Sequence, residues 1–209
     1  MAALDTDALG AWVREYARAV TEHREELTEL DSAIGDADHG TNMHRGMTAA
    51  VAALDATPPA DAAALLKTVA MTMISKVGGT SGPLYGTFFL RMSGALDDGS
   101  PAAFAAAFRA GVDGVVARGK TELQDKTMVD ALLPAADALT AAVEAGQELD
   151  AALRAAADAA ATGRDSVTPL VARKGRASYL GERSAGHVDP GAASAVLLVE
   201  AAATTLPGS

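Results

Sequence analysis

"LGAWVREYARAV", Leu9 to Val20, is the stretch whose reading decides the fold. Leu9, Trp12, Val13, Tyr16, Ala17 and Val20 recur at i, i+3, i+4, i+7, i+8 and i+11, one unbroken apolar stripe of helical period. A half-buried strand would alternate every second residue, and this stretch does not. The same period continues outward through 41–55, 60–77, 83–96, 102–118, 127–144, 148–171 and 191–205. Breakers separate the segments: "ATPPAD" after the second, "GGTSGP" after the third, "DDGSP" after the fourth and "EAGQE" after the sixth. "AVLLVE", Ala195 to Glu200, has the composition of a strand, but its flanks "GAAS" and "AAATT" favour a buried helix. The reading is eight helices, with Asp31 ending the first. No repeat or low-complexity linker interrupts them, so residues 1–209 read as one helical domain.

Composition agrees. Hydrophobic residues make up 49% of the 209, but aromatics only 4%, so the core is built from small aliphatic side chains that suit closely packed helices. The net charge is −10, from 27 acids against 17 bases, which argues against a basic nucleic-acid-binding face. There are 0 cysteines, so disulfides and thiolate metal sites are excluded. The N-terminus, "MAALDTDALGAW", carries acids where a secretory leader needs positive charge, and no apolar run approaches the roughly 20 residues that span a bilayer. These features predict a cytoplasmic protein.

Three connections are not ordinary turns: 31–40, 78–83 and 172–190, each rich in glycine and polar groups. The last exceeds the usual helix–helix connection of about 2–8 residues. In the first, "AIGDADHG" (Ala33 to Gly40) sets Asp36, Asp38 and His39 together, with Asp31 just upstream. Residue 47, twelfth in a calcium-loop register starting at Asp36, is Met47 where a bidentate Glu is needed, so an EF-hand fails. What remains is a hard, all-oxygen site. In an extended segment residues 36 and 38 point the same way, and three carboxylates with open coordination suit Mg²⁺ shared with phosphate oxygens. The plainer alternative is that Asp38 caps the helix opening near Thr41. His39 reads as a phosphate or nucleotide contact rather than a proton-transfer group; His23 reads as solvated, and His44 is ambiguous.

"GGTSGP" places Thr80 and Ser81 between glycines at a helix start, where backbone N–H groups and the dipole attract anions. A tight inter-helix turn is the alternative. The loop 172–190 brings Arg173, Lys174, Arg176 and Arg183, a basic run in an acidic chain. "GVVARGKT", Gly114 to Thr121, satisfies a Walker A pattern, but "FAAAFRAGVDGVV" before it is helical where a strand is required, so it reads as a helix end capped by Gly119. Three aspartates and a diphosphate carry roughly six negative charges, of which two divalent cations cancel about four. A pair of Mg²⁺ ions between carboxylates and phosphates would let the acids sit together.

"LDSAIGDADHGTNMHRGM", "VGGTSGPLYGTFF", "DKTMVDALLPA" and "ARKGRASYLGERSAGHVDPGA", in this order, resemble the nucleotide-binding (L) subunit of dihydroxyacetone kinases, and the resemblance runs from the first helix to the last. It implies an all-α, eight-helix, antiparallel barrel-like bundle holding ADP or ATP and two Mg²⁺ at one end. By residue, it implies Asp31, Asp36 and Asp38 as metal ligands and His39, Gly40, Thr41 and Asn42 as phosphate contacts. It adds Thr80 and Ser81 as the phosphate loop, Gly119 and Met128 lining the nucleotide, Arg176 on phosphate, and Asp189, Pro190 and Gly191 as a last nucleotide-contacting turn. Gln124 departs from the pattern, since many members have glycine there. A free-standing chain further resembles the phosphotransferase-system form. That form implies a phosphohistidine phosphocarrier subunit that recharges bound ADP, and a dihydroxyacetone-binding kinase subunit that supplies the substrate histidine. No catalytic residue is then expected on this chain, and a homodimer is left open. A kinase subunit for another small ketose, such as a tetrulose, and a nucleotide-sensing module that binds a transcription regulator are the alternatives.

Overall fold

The computed structural model describes residues 4–206; Met1, Ala2 and Ala3 of the acidic N-terminal stretch and the last three residues lie outside it. Nine α-helices form among the described residues. They are α1 (Thr6–Glu22), α2 (Arg24–Ile34), α3 (His39–Ala56), α4 (Ala62–Lys76), α5 (Ser81–Ala95), α6 (Pro101–Gly119), α7 (Val129–Glu144), α8 (Leu149–Ser166) and α9 (Pro190–Thr205), with a 3-10 helix over Arg176–Ser184. No strand occurs among them. Among the described residues no helix is long and apolar enough to cross a membrane.

The predicted first helix is two. The apolar stripe runs through Val20 as expected, but the chain turns at His23 (φ −92°, ψ 12°), which closes α1 and opens α2. The His23 ring bonds Glu26 at 2.7 Å, and Glu25 and Glu26 place negative charge on the first turn of α2. Asp31 therefore sits in the last turn of a short second helix rather than at the end of a long first one. The other overrun is 148–171: α8 stops at Ser166 because Pro169 disfavours helical geometry in the residue before it.

The helices close a ring. α3 packs on α4, and α4 on α5, α5 on α6, α6 on α7, α7 on α8, α8 on α9; α9 returns to α1 and α1 to α3, while α2 lies against α3. Small residues set the close spacing. Gly46 faces Val77, where an added Cβ would come within 2.0 Å of Val77 Cγ2, and Gly163 of α8 lies where a Cβ would be 2.0 Å from Asp130 O. That carbonyl belongs to the turn of α7 below Pro134, which has no N–H to give it. The aromatics other than the exposed Tyr179 gather inside: Trp12 meets Phe104 edge-on at 5.7 Å and Phe88 meets Phe108 at 5.2 Å. The Trp12 indole N–H donates to Leu198 O at 2.9 Å, so the largest side chain is buried with its polar atom satisfied. This closely packed ring is the frame, and the inter-helix loops at one end form the site.

Candidate functional site

The acidic loop is organised by one of its own carboxylates. Asp31, buried, accepts the backbone N–H groups of Asp38 (2.8 Å) and His39 (3.0 Å) on Oδ2. The chain can fold back this tightly because residue 35 is glycine: a Cβ there would lie 2.0 Å from Asp31 Oδ1. The segment is not extended as the sequence suggests. Ala37 is left-handed (φ 59°), and it is this turn that brings ligand atoms of Asp31, Asp36 and Asp38 within 4.8 Å of one another. Asp38 holds the N-cap position of α3, yet its side chain makes no capping hydrogen bond, so the capping alternative is not what it does. Asp36 pairs with Arg176 at 2.8 Å across the loops.

These residues form one wall of a cleft of about 520 Å³, within the usual range for small-molecule sites. A second wall is Gly78, Gly79, Thr80 and Ser81. Gly79 is left-handed (φ 65°), Thr80 is the N-cap of α5 without a side-chain cap bond, and α5 starts at Ser81, so the helix N-terminus opens on the cleft. Pro83, Leu84, Val115 and Met128 give an apolar surface suited to a flat ring. Lys174 and Arg176 arrive from the 3-10 loop, and Asp189, Pro190 and Gly191 from the start of α9. Asp189 caps α9 by accepting the Ala192 N–H at 2.7 Å, and desolvation pushes its pKa up to about 7.

His39 is buried between hydroxyls: Ser194 Oγ lies 2.8 Å from Nε2 and Ser81 Oγ 3.2 Å from Nδ1. Burial lowers its pKa against the opposing pull of Asp31 and Asp38, which favours the uncharged ring. It borders the cleft, but both nitrogens already have protein partners, and it joins α3, α5 and α9. Asn42 also borders the cleft, its Oδ1 accepting from Arg45 at 2.6 Å.

Thus the structure brings to one cleft Asp31, Asp36, Asp38, His39, Asn42, Thr80, Ser81, Gly119, Met128, Arg176, Asp189, Pro190 and Gly191. Gly40 and Thr41 are not on its wall. Gly40 exists for the α2–α3 contact, where a Cβ would stand 2.0 Å from Arg24 O, and Thr41 is exposed on a shallow surface groove with Arg24 and Thr28. Within "GVVARGKT" residues 114–119 are helical, so no phosphate loop forms there, and the left-handed cap is Lys120 (φ 49°) rather than the expected Gly119. Sequence reasoning missed Lys126. It borders the cleft while 1% exposed, and a lysine in a polar loop gives no sign of burial. Gln124, where glycine was expected, has φ 72°, and its N–H donates to Asp130 Oδ1. The preference for glycine there has a steric cause.

A family model described as the DAK2 domain matches residues 33–204. The chain is 44% identical over 199 residues to the ADP-binding subunit DhaL of PEP-dependent dihydroxyacetone kinase 1 of Listeria innocua, covering 94% of this chain and 95% of that one. It is 43% identical over 192 residues to the ADP-binding subunit DhaL of the PEP-dependent dihydroxyacetone kinase of Escherichia coli, covering 90% and 91%. Among solved structures, the dihydroxyacetone kinase of C. freundii in its native form superposes with a TM-score of 0.74 at 26% identity, over 94% of this chain and 34% of that longer one.

Proposed function

The chain belongs to the DAK2 domain family, and from that premise we propose that it is the ADP-binding subunit of a dihydroxyacetone kinase, acting as a single nucleotide-holding unit. The observation that carries the reading is the convergence of Asp31, Asp36 and Asp38 on a cleft whose facing walls are the N-terminus of α5 and the Arg176 loop. The donor set is three carboxylates without sulfur or an available imidazole, the chemistry that Mg²⁺ prefers. Two such ions, bound there, would neutralise phosphate charge and share the carboxylate oxygens. On this reading the apolar surface of Pro83, Leu84, Val115 and Met128 receives the base. The α5 and α9 N-termini receive phosphate oxygens, and Arg176 exchanges its bond to Asp36 for one to phosphate.

No side chain of this chain needs to move a proton. His39 is buried and engaged on both nitrogens. The chain's contribution is positioning and charge neutralisation, which suffice for phosphoryl transfer when donor and acceptor are held in line. The acceptor ketose is presented by a separate kinase subunit, and the bound nucleotide is recharged in place by a phosphohistidine carrier. Calorimetry tests the core of the reading: ADP binds in the presence of Mg²⁺ and the heat disappears with chelator. Absence of heat with Mg²⁺ and ADP together overturns it. Ketose phosphorylation that requires all three proteins at once would support the division of labour.

A further inference from the structure

The loop that brings Arg176 to the cleft packs a small apolar face, Ala172, Ala177 and Leu180, against Ile34 of α2. Its 3-10 helix is broken at Gly181 (φ 56°, ψ −132°), and Arg176 itself is half-exposed. Its two ends are nevertheless tied together. Lys126 Nζ donates to Thr168 O (2.9 Å) and Leu170 O (2.9 Å) on the entering arm of the loop, and to Ser184 O (2.6 Å) on the leaving one. Around it, Arg173 N–H donates to Asp125 O (3.0 Å), Gly186 N–H to Thr168 O (2.8 Å), and Ala172 N–H to Ser184 Oγ (2.9 Å).

An ammonium has three protons, and all three are engaged by carbonyls. None is left for a phosphate, although the residue borders the cleft. Among the described residues no carboxylate lies within ion-pair distance of Nζ, so this cation is held by carbonyl dipoles. The backbone bends to allow it: Lys126 is left-handed (φ 64°), a conformation that costs a non-glycine residue about 1–2 kcal/mol. Burial works against the charged form, with Asp189 opposing that shift. Such expense is retained where geometry matters.

We propose that Lys126 is a positioning residue of the nucleotide site, its ammonium clasping both ends of the 168–184 loop and so fixing Arg176 at the cleft mouth. What Arg176 meets there rests on the function proposed above; the clasp does not. Lys126→Met tests it in the full chain, alone and combined with Arg176→Ala, read by backbone amide exchange and by calorimetry with Mg²⁺ and ADP. Exchange across 168–186 accelerates about tenfold or more, as loss of charged hydrogen bonds requires, while α4 and α5 keep their protection. ADP affinity falls about tenfold in the Lys126→Met protein, yet by less than about twofold when the change is added to Arg176→Ala, because both act through one arginine. A folded Lys126→Met protein with wild-type exchange over 168–186 overturns the proposal. So do affinity losses that multiply, since they would mean Lys126 meets the ligand itself. Should Lys126→Met not fold, Lys126→Arg keeps the charge on a planar head that fits three converging carbonyls less well. It gives an intermediate acceleration, and unchanged exchange overturns the proposal equally. Failure of the nucleotide reading shows separately, as no heat from the wild-type chain while the exchange result stands.

Discussion

The helical ring and the loop end of this molecule are built on opposite terms. In the ring, Trp12, Phe88, Phe89 and Phe104 are fully buried and pack on one another, and glycines are placed for close approach. At the loop end the buried residues include Asp31, His39, Asn42, Asp125 and Lys126. Among the described residues the four left-handed non-glycine ones, Ala37, Lys120, Gln124 and Lys126, lie in the 35–38 and 120–128 connections that border the cleft. Desolvation and backbone strain are thus collected at one end, and the ring supplies the stability that tolerates them. The difference separates stability from binding as properties of different residues.

The strongest break of that comparison is in the ring. Trp12→Ala removes a buried indole and its hydrogen bond to Leu198 O, and is expected to cost about 3–5 kcal/mol in denaturant unfolding. Because Trp12 is not on the cleft, affinity for Mg²⁺ and ADP stays within about twofold under conditions where the variant is folded. An affinity loss as large as that from a change in the acidic loop would show that the two regions are not separable.

The second prediction reverses the roles. If Asp31, Asp36 and Asp38 hold Mg²⁺ against a diphosphate, ligand at 1,000 times its dissociation constant stabilises the wild type by about 4 kcal/mol, roughly 8–16 °C in melting temperature. Asp36→Asn loses most of this gain. Without ligand the variant should melt nearly as the wild type does, since Asp36 is relieved there only by its partly exposed pair with Arg176, worth about 0.2–1 kcal/mol. An Asp36→Asn protein that keeps the full ligand-induced shift removes Asp36 from the metal site.

Much of this arrangement is legible in the sequence, and the limit has a physical form. The ring is readable because the apolar period is local, and the acidic loop because three aspartates and two glycines fall within ten residues. Arg176 is readable as a charge in a long connection. Lys126 is not, because its partners at 168, 170 and 184 stand 42 to 58 residues away and are backbone carbonyls with no sequence signal. The break at His23 is hidden for another reason: hydrophobic spacing on both sides continues a single helix, and only the backbone shows the turn. The left-handed turn at Ala37 is hidden because alanine signals the opposite.

A smaller effect comes from Asp189. Its folded pKa of about 7 lies above the ordinary 3.8, so folding disfavours the ionised form. The resulting penalty is absent below about pH 4, grows as pH rises, and is complete above about pH 7. Asp189→Asn keeps a good N-cap for α9 without the charge, and in the ligand-free protein it should be more stable than wild type by about 1–2 kcal/mol at pH 8 after allowance for partial exposure. The gap closes toward pH 4. Parallel stability curves for the two proteins from pH 4 to pH 8 would show that Asp189 carries no such penalty.

The smallest effect sharpens the comparison most, because it removes strain from the loop end without touching a ligand group. Gln124 has φ 72°, and its contribution to the site is its backbone N–H, which donates to Asp130 Oδ1. Gln124→Gly keeps that N–H. A left-handed non-glycine residue costs about 1–2 kcal/mol, and glycine returns about 0.5–1 kcal/mol of this through the greater freedom of its unfolded chain. The balance is a stabilisation of about 0.5–1 kcal/mol, or roughly 1–4 °C in melting temperature. If strain at the loop end exists only to be tolerated, ADP affinity is unchanged in this variant. If instead the stiffness of Gln124 helps hold the 120–128 connection against the cleft, the protein melts higher and binds more weakly. Melting curves and calorimetry on one preparation separate these outcomes. A Gln124→Gly protein less stable than the wild type would mean that the left-handed backbone at residue 124 stores no strain for glycine to relieve.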